Sequence, residues 1–469
     1  MGDDKNGEVA VVVVPFPAQG HLNPLLHLSR RISGHNIPVY FVGTATHVRQ
    51  VTGRVQGCDP STISNLHFHS FPTPPFENPT PDHSAPTSKF PTHMHPMIMA
   101  TTSHFQQPLH ELLSELSSRN HGRIAVIFDV LMSTVVKAVY QTLPNLECYC
   151  FQVTPASFIY SLFVEAAGKG VLPSDSAGIM NDVREMEGCF SHDFKQLLDL
   201  QRKARDFHVG NIYHTSRIIE AEYIDLLAKT RILGHDNHWA LGPFIPVAEH
   251  EKHESKSGRS QCLIWLDNQP LNSVIFVSFG TTCSLSDEQI GELALGLERS
   301  EQRFLWSLRD ADRGDVFDGG VRRAELPEGF EERVRERGFV VREWAPQLEI
   351  LEHSATGGFL SHCGWNSCLE SISKGVPVAA WPMNSDQPRN AVLLVKALKI
   401  GVEVRDWARR DQLVGATTVE EGVRRLMASA EGEEMRRRAA ELADSLKQSF
   451  MEGGVGRREM DSFVAHITR

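Results

Sequence analysis

Several residues in the second half of the chain are spaced as a site for a charged, sugar-like molecule would be. They run Trp344-Ala345-Pro-Gln347, then His362-Cys-Gly364-Trp365-Asn366-Ser367, then Glu370, then Asp386-Gln387. His362 ends an expected strand and Gly364 opens a turn, so Asn366 and Ser367 fall at a helix start. Free N–H groups and the positive dipole end make such a start an anion site. Imidazole, amide and hydroxyl donors beside it suit a diphosphate. Glu370, one turn further on, is placed to accept paired ribose hydroxyls. Trp344 offers a flat face to a base, with Gln347 as an amide partner, and Asp386 and Gln387 form a hydroxyl-reading pair. Any one of these residues alone has a structural explanation, since a serine at a helix start is usually a cap. Their combination is what points to chemistry. In the first half, His21 follows the first expected strand and Asp129 ends a later one. Open α/β sheets place their sites at these carboxyl ends. A carboxylate behind an imidazole fixes its tautomer and stabilises the imidazolium formed when it takes a proton.

These residues require a scaffold of alternating strands and helices. Residues 9–15 form an unbroken β-branched run, the pattern of a strand buried on both faces of a parallel sheet. A loop over residues 16–21 and a helix with Pro24 in its first turn follow, then a strand at residues 38–42. Residues 124–128 repeat the strand pattern. The alternation starts again with strands at 272–279, 304–308, 339–342, 356–361 and 377–381. Ser286-x-x-Gln289 reads as a reciprocal capping box for a helix over 287–300. Eight prolines between residues 71 and 96 forbid long regular structure and suggest a substrate mouth. The polar stretch 248–260 is the expected linker. The expected divisions are therefore 1–247, 261–445, and a C-terminal segment 446–469 that packs back on the first domain.

At 469 residues, two α/β domains facing each other across a cleft account for the length. The net charge of −11 leaves no basic footprint for nucleic acid. No apolar run reaches membrane-spanning length. The polar, acidic residues 1–8 do not resemble a targeting peptide, so a cytoplasmic location and a monomer are expected. The 8 cysteines include no CxxC pair. His93-Met94-His95 lacks a second ligand cluster, so no metal is expected. GxGxxG and the P-loop pattern are both absent, which removes the best signatures of a nicotinamide dehydrogenase and of an NTPase.

The 44-residue block from Trp344 to Gln387 resembles the donor-binding signature of plant family 1 UDP-dependent glycosyltransferases. The opening PFPAQGHLNPLL and the VSFGTT at 277–282 extend the resemblance over nearly the whole chain. It implies a GT-B fold, with an acceptor-binding N-domain and a nucleotide-sugar-binding C-domain. It implies that Trp344, Ala345 and Gln347 hold uracil and that Glu370 holds ribose. His362, Gly364, Trp365, Asn366, Ser367, Thr281, Thr282 and Gly20 would surround the diphosphate. Asp386 and Gln387 would bind the sugar, with Gln387 pointing to UDP-glucose as co-substrate. His21 would be the base and Asp129 its support, while Phe16, Gln19, Met94 and Phe128 would line the acceptor site. The stretches 90–97, 240–247, 309–317 and 463–469 resemble the zeatin O-glucosyltransferase branch. The implied reaction is glucose transfer from UDP-glucose to a hydroxyl of a small lipophilic acceptor, a cytokinin first of all, with inversion to a β-glucoside. Flavonoid, phenolic or terpenoid acceptors, UDP-xylose or UDP-galactose as donor, and a noncatalytic UDP-sugar or hormone-binding protein remain open. UDP-glucose turnover separates the last from the rest.

Overall fold

The computed structural model describes residues 9–53, 62–77, 79, 90–119, 122–143, 145–167, 186–231, 233–245, 260–283, 285–309 and 324–469. The expected linker lies outside these residues except for Ser260, as do parts of the proline-rich stretch and nearly all of 309–317.

Two parallel sheets organise the chain. The first holds β1 (Val9–Val14), β2 (Val39–Thr44), β3 (Leu66–Phe71), β4 (Arg123–Asp129), β5 (Leu146–Gln152), β6 (Gly210–Tyr213) and β7 (His238–Ala240) in the order 3-2-1-4-5-6-7. The second holds β8 (Val274–Ser278), β9 (Arg303–Ser307), β10 (Gly338–Val341), β11 (Thr356–Ser361), β12 (Val378–Ala380) and β13 (Gly401–Glu403) in the order 10-9-8-11-12-13. Strand order reverses direction beside β1 in one sheet and beside β8 in the other. These switch points open crevices at the strands' carboxyl ends. β1 earns its central place by composition: all six residues of VAVVVV are buried, and it pairs with both β2 and β4.

Three local expectations are corrected. The helix after β1 spans Gln19–Ser33, so His21 sits in its first turn and Pro24 lies inside it. Ser286 does cap the helix Asp287–Ser300 through Gln289 N, but the Gln289 side chain does not reciprocate. Its amide is drawn instead to the backbone of Val414, at 2.9 and 3.0 Å, so no reciprocal box forms. The boundary expected at residue 445 falls inside the helix Ala430–Ser449.

After the break at Gly453-Gly454, the helix Val455–Ile467 lies on the first sheet. Phe463 packs edge-on to Tyr149 and Trp239. Glu459 accepts from Arg217 and from the backbone N–H of Ala240, at 2.6 and 2.9 Å. The two units also share an apolar core, in which Tyr160, Tyr213 and Ile224 from one pack with Trp365, Ile372 and Leu394 from the other.

Candidate active site

A cavity of about 790 Å³ lies between the carboxyl ends of the two sheets. On the first-sheet side, His21 Nδ1 lies 2.7 Å from Asp129 Oδ2. The fully buried Asp129 also accepts the backbone N–H of Leu131 on Oδ1, at 2.9 Å. An ionised carboxylate only accepts, so Nδ1 carries the proton and Nε2 is the basic nitrogen. His21 lines the cavity. Phe16 packs against its ring at 4.9 Å between centroids.

Pro24 shapes this corner through what it lacks. Without an N–H it cannot bond the carbonyl of Gly20, four residues earlier. That oxygen instead accepts Asn366 Nδ2 from the other domain, at 3.0 Å. Asn366 Oδ1 is 3.1 Å from His214 Nε2, whose Nδ1 in turn receives the N–H of Phe244 at 3.4 Å. His214 is therefore the Nε2–H tautomer. Burial holds its pKa down at about 3, so it stays neutral. Trp365 Nε1 donates to the His214 carbonyl at 2.8 Å. The helix Trp365–Lys374 is thus tied across the cleft by two side chains of its first turn. No side chain caps its start, which leaves N–H groups of that turn for an anion.

His362, at the end of β11, is held between two glycines. A Cβ on Gly280 or Gly364 would come within 2.7 or 2.5 Å of its Nε2, and Gly280 has φ +76°. Burial pushes its pKa down to about 4, so it offers a neutral N–H rather than a cation. Gln347 Nε2 donates to Glu370 Oε2 at 2.7 Å and to Ser367 Oγ at 3.0 Å. Desolvation raises the Glu370 pKa to about 7, against the lowering effects of Gln347 and Lys374. Trp344 is 41% exposed, with the Arg309 guanidinium 5.4 Å from its ring centroid.

Most of the expected residues line this one cavity: Gln19, Gly20, His21, Thr281, Thr282, Trp344, Ala345, Gln347, His362, Gly364, Trp365, Asn366, Ser367, Glu370, Asp386 and Gln387. Three of the four acceptor-side residues are placed differently. Phe128 is fully buried and stacks on Phe207, and Phe16 and the partly buried Met94 pack in the same apolar cluster. Phe128 belongs to an interior strand whose side chains alternate, and its neighbour Asp129 takes the position facing His21.

Gln387 is not free to accept as well as donate. Its Oε1 receives the N–H groups of Met383 and Asn384 at 2.9 and 3.0 Å, and its Nε2 donates to Asn384 Oδ1 at 3.4 Å, leaving the second Nε2 hydrogen for a ligand. Asp386 Oδ2 accepts Asn390 Nδ2 at 2.7 Å. His214 and Arg309 escaped the sequence reading. Both follow the ends of strands, β6 and β9, and that position was the available signal.

Comparison with known proteins gives this geometry a family. Residues 7–246 match the glycosyltransferase N-terminal domain model, and residues 219–416 match the UDP-glucuronosyl and UDP-glucosyl transferase model. The chain belongs to the UDP-glycosyltransferase family. It is 50% identical over 98% of its length to a zeatin O-xylosyltransferase of Phaseolus vulgaris, covering 98% of that protein. It is equally, 50%, identical to a zeatin O-glucosyltransferase of Phaseolus lunatus, over 98% of this chain and 97% of the relative. Among solved structures, a Phytolacca americana UGT2 complexed with UDP-2-fluoro-glucose and pterostilbene superposes with a TM-score of 0.75 at 28% identity, over 98% of this chain and 99% of that one. A Siraitia grosvenorii transferase in complex with UDP gives 0.77 at 28% identity, over 98% and 100%. The fold is therefore GT-B, and this UDP-glycosyltransferase carries its dyad and its open helix start in one cleft. No helix among its described residues is long and apolar enough to cross a membrane.

Proposed function

We propose that this UDP-glycosyltransferase transfers glucose from UDP-glucose to the side-chain hydroxyl of a cytokinin. The observation that carries the chemistry is the His21–Asp129 pair, at 2.7 Å, in the same cavity as the uncapped start of the helix Trp365–Lys374. The acceptor follows from the two bean relatives. His21 Nε2 takes the proton of the acceptor hydroxyl, and Asp129 stabilises the imidazolium. The oxygen attacks the anomeric carbon from the face opposite UDP, forming the glycosidic bond as the bond to the diphosphate breaks and inverting to a β-glucoside. Charge developing on the diphosphate is met by the backbone N–H groups of residues 365–367, the Thr281 and Thr282 hydroxyls and neutral His362. Trp344 and Gln347 hold uracil, and Glu370 holds ribose. One acceptor screen with UDP-glucose, read by product mass, tests the whole reading. Absence of a zeatin glucoside beside efficient glucosylation of other acceptors would overturn the cytokinin assignment.

A second donor is favoured by a specific observation: identity to the xylosyltransferase equals identity to the glucosyltransferase. Side-by-side kcat/KM for UDP-glucose and UDP-xylose decides between them. Gln387 supplies a finer test of donor reading. Gln387→Glu keeps an oxygen for the N–H groups of Met383 and Asn384 but turns the Nε2 donor into a carboxylate oxygen, which also faces Asn384 Oδ1. UDP-glucose use should fall by at least about 2- to 13-fold, the value of one net hydrogen bond. UDP-galactose, whose axial hydroxyl meets different partners, should lose less. An unchanged glucose-to-galactose ratio at an unchanged Tm rejects Gln387 as a donor-reading residue.

Activity should also persist in excess EDTA, because the diphosphate is met by N–H groups, hydroxyls and a neutral imidazole. Among the described residues, no His, Cys, Asp or Glu side chains gather in threes as a metal site would need. Loss of turnover that Mg²⁺ or Mn²⁺ restores would refute this.

A further inference from the structure

Arg205 lies two residues beyond the helix His192–Lys203, half-buried on the cavity wall. No ion pair is formed by its guanidinium with a carboxylate among the described residues, whereas Arg202 beside it on the cavity wall pairs with Asp199. The groups that reach it are the Cys150 thiol, the Tyr213 phenol, the like-charged Arg202 and the His208 imidazole, which burial holds neutral. The polar groups of this wall, and Asp206 next in the chain, have other partners. The Gln201 amide is spent on Thr134, at 2.9 and 3.0 Å. Glu165 pairs with Arg389, Asp199 with Arg202, and Asp206 with Lys137. A guanidinium does not shed its proton in proteins, so this half-buried group stays charged, and a ligand that fills the cavity displaces the water around it. Losing that water is costly unless the ligand itself supplies lone pairs.

The remaining wall says what kind of ligand. Phe190 and Phe194 stack at an interplanar angle of 18° with centroids 5.6 Å apart, and both line the cavity with Phe158. Aromatic faces accommodate a flat apolar ring, and the planar guanidinium donates along its own plane to a ring edge. We propose that Arg205 determines acceptor specificity by donating to the ring-nitrogen lone pairs of a flat heteroaromatic acceptor. This rests on the cytokinin reading only in that the ring is then the purine. A saturated or purely hydrocarbon acceptor cannot satisfy the guanidinium, and is discriminated against because binding it leaves the charge buried and unpaired.

The test uses Arg205→Met, which keeps the stem and removes the charge, and Arg205→Lys as the conservative variant. Dissociation constants are read by calorimetry in the presence of UDP, so turnover is not required. The probes are zeatin, a hydroxyquinoline and the matching naphthol. Arg205→Met should weaken zeatin and the hydroxyquinoline about 10- to 100-fold, the loss of a charge-assisted bond. The naphthol should stay within about 2-fold, and Arg205→Lys should recover part of the zeatin affinity. The Tm of ligand-free Arg205→Met should be unchanged or higher, because an unpaired charge has been removed. Equal weakening of quinoline and naphthol, no wild-type preference between them, or a lowered Tm would make Arg205 a structural residue and overturn the proposal. Failure of the wild type to bind zeatin, with the quinoline preference intact, would remove the cytokinin reading and leave the role of Arg205 standing.

Discussion

His21→Ala should lose on the order of 10³-fold in kcat, within the range a positioned general base contributes. UDP-glucose affinity should change by less than about 2-fold, since the donor groups sit on the other sheet. Asp129→Asn makes a sharper prediction. The Leu131 N–H, 2.9 Å from Oδ1, keeps an oxygen of the new amide on that side. The NH₂ group then faces His21 Nδ1, which must accept instead of donate. That moves the ring proton to Nε2 and blocks the nitrogen that should act as base, so the loss should reach about 10²- to 10⁴-fold with the fold intact. Both variants are to be measured by glucoside formation alongside calorimetric UDP-glucose binding. Comparable turnover in His21→Ala would remove the base from the mechanism, and an unchanged Asp129→Asn rate would make Asp129 a cap for the turn at residues 130–132.

The sequence made the parallel frame readable where strands are central and apolar. VAVVVV at β1 and TGGFLS at β11 are wholly buried, and their boundaries follow from composition. Of the four edge strands only β10, expected at 339–342, was readable. β3, LHFHSF, carries polar residues on its accessible positions, and β7 and β13 have only three residues each, too short for any periodicity. The site divides in the same way. Residues of the contiguous donor block can be assigned roles because their spacing places them on one strand end and one helix turn. The acceptor side is assembled from distant segments, and there the alternation of β4 packs Phe128 into the core while setting the fully buried Asp129 behind His21, which lines the cavity. What no spacing reveals is pairing across the cleft. The open Gly20 carbonyl, left by Pro24, and the neutral His214 hold Asn366 from the opposite domain. Asn366 therefore acts as much as a tie between the domains as a donor to phosphate.

The same cross-domain view explains how several imidazoles can serve an anionic substrate without charge. His362 and His214 are held neutral by burial, with pKa values near about 4 and about 3. His362 presents a fixed N–H to the cavity and His214 spends its own on Asn366, and neither changes protonation over the physiological range. Donor binding should then respond to pH through a carboxylate instead.

Glu370 is that carboxylate, and its expected behaviour has a definite sign. Desolvation raises its pKa to about 7 in the ligand-free protein, so it is largely protonated at pH 5 and ionised at pH 8. Ribose hydroxyls donate to an acceptor, so binding favours the ionised form and lowers this pKa. UDP-glucose affinity should therefore be highest above pH 8 and weaken as pH falls through about 7. The slope should approach tenfold per pH unit, with up to one proton released per donor bound. UDP-glucose suits the measurement because its diphosphate has no ionisation in this window, and a His21→Ala background prevents turnover while burial keeps His27, His214 and His362 neutral. Glu370→Gln resembles the protonated acid and cannot offer two anionic acceptors. It should bind about 10²-fold more weakly than its parent at pH 8, the value of roughly one to two charge-assisted bonds. At pH 5 the parent has itself lost those acceptors, and the two proteins should converge. Calorimetry in buffers of different ionisation enthalpy counts the released proton directly. A gap between the two proteins that stays constant from pH 5 to pH 8 would mean that Glu370 acts only by holding Gln347, and would take the ribose away from it.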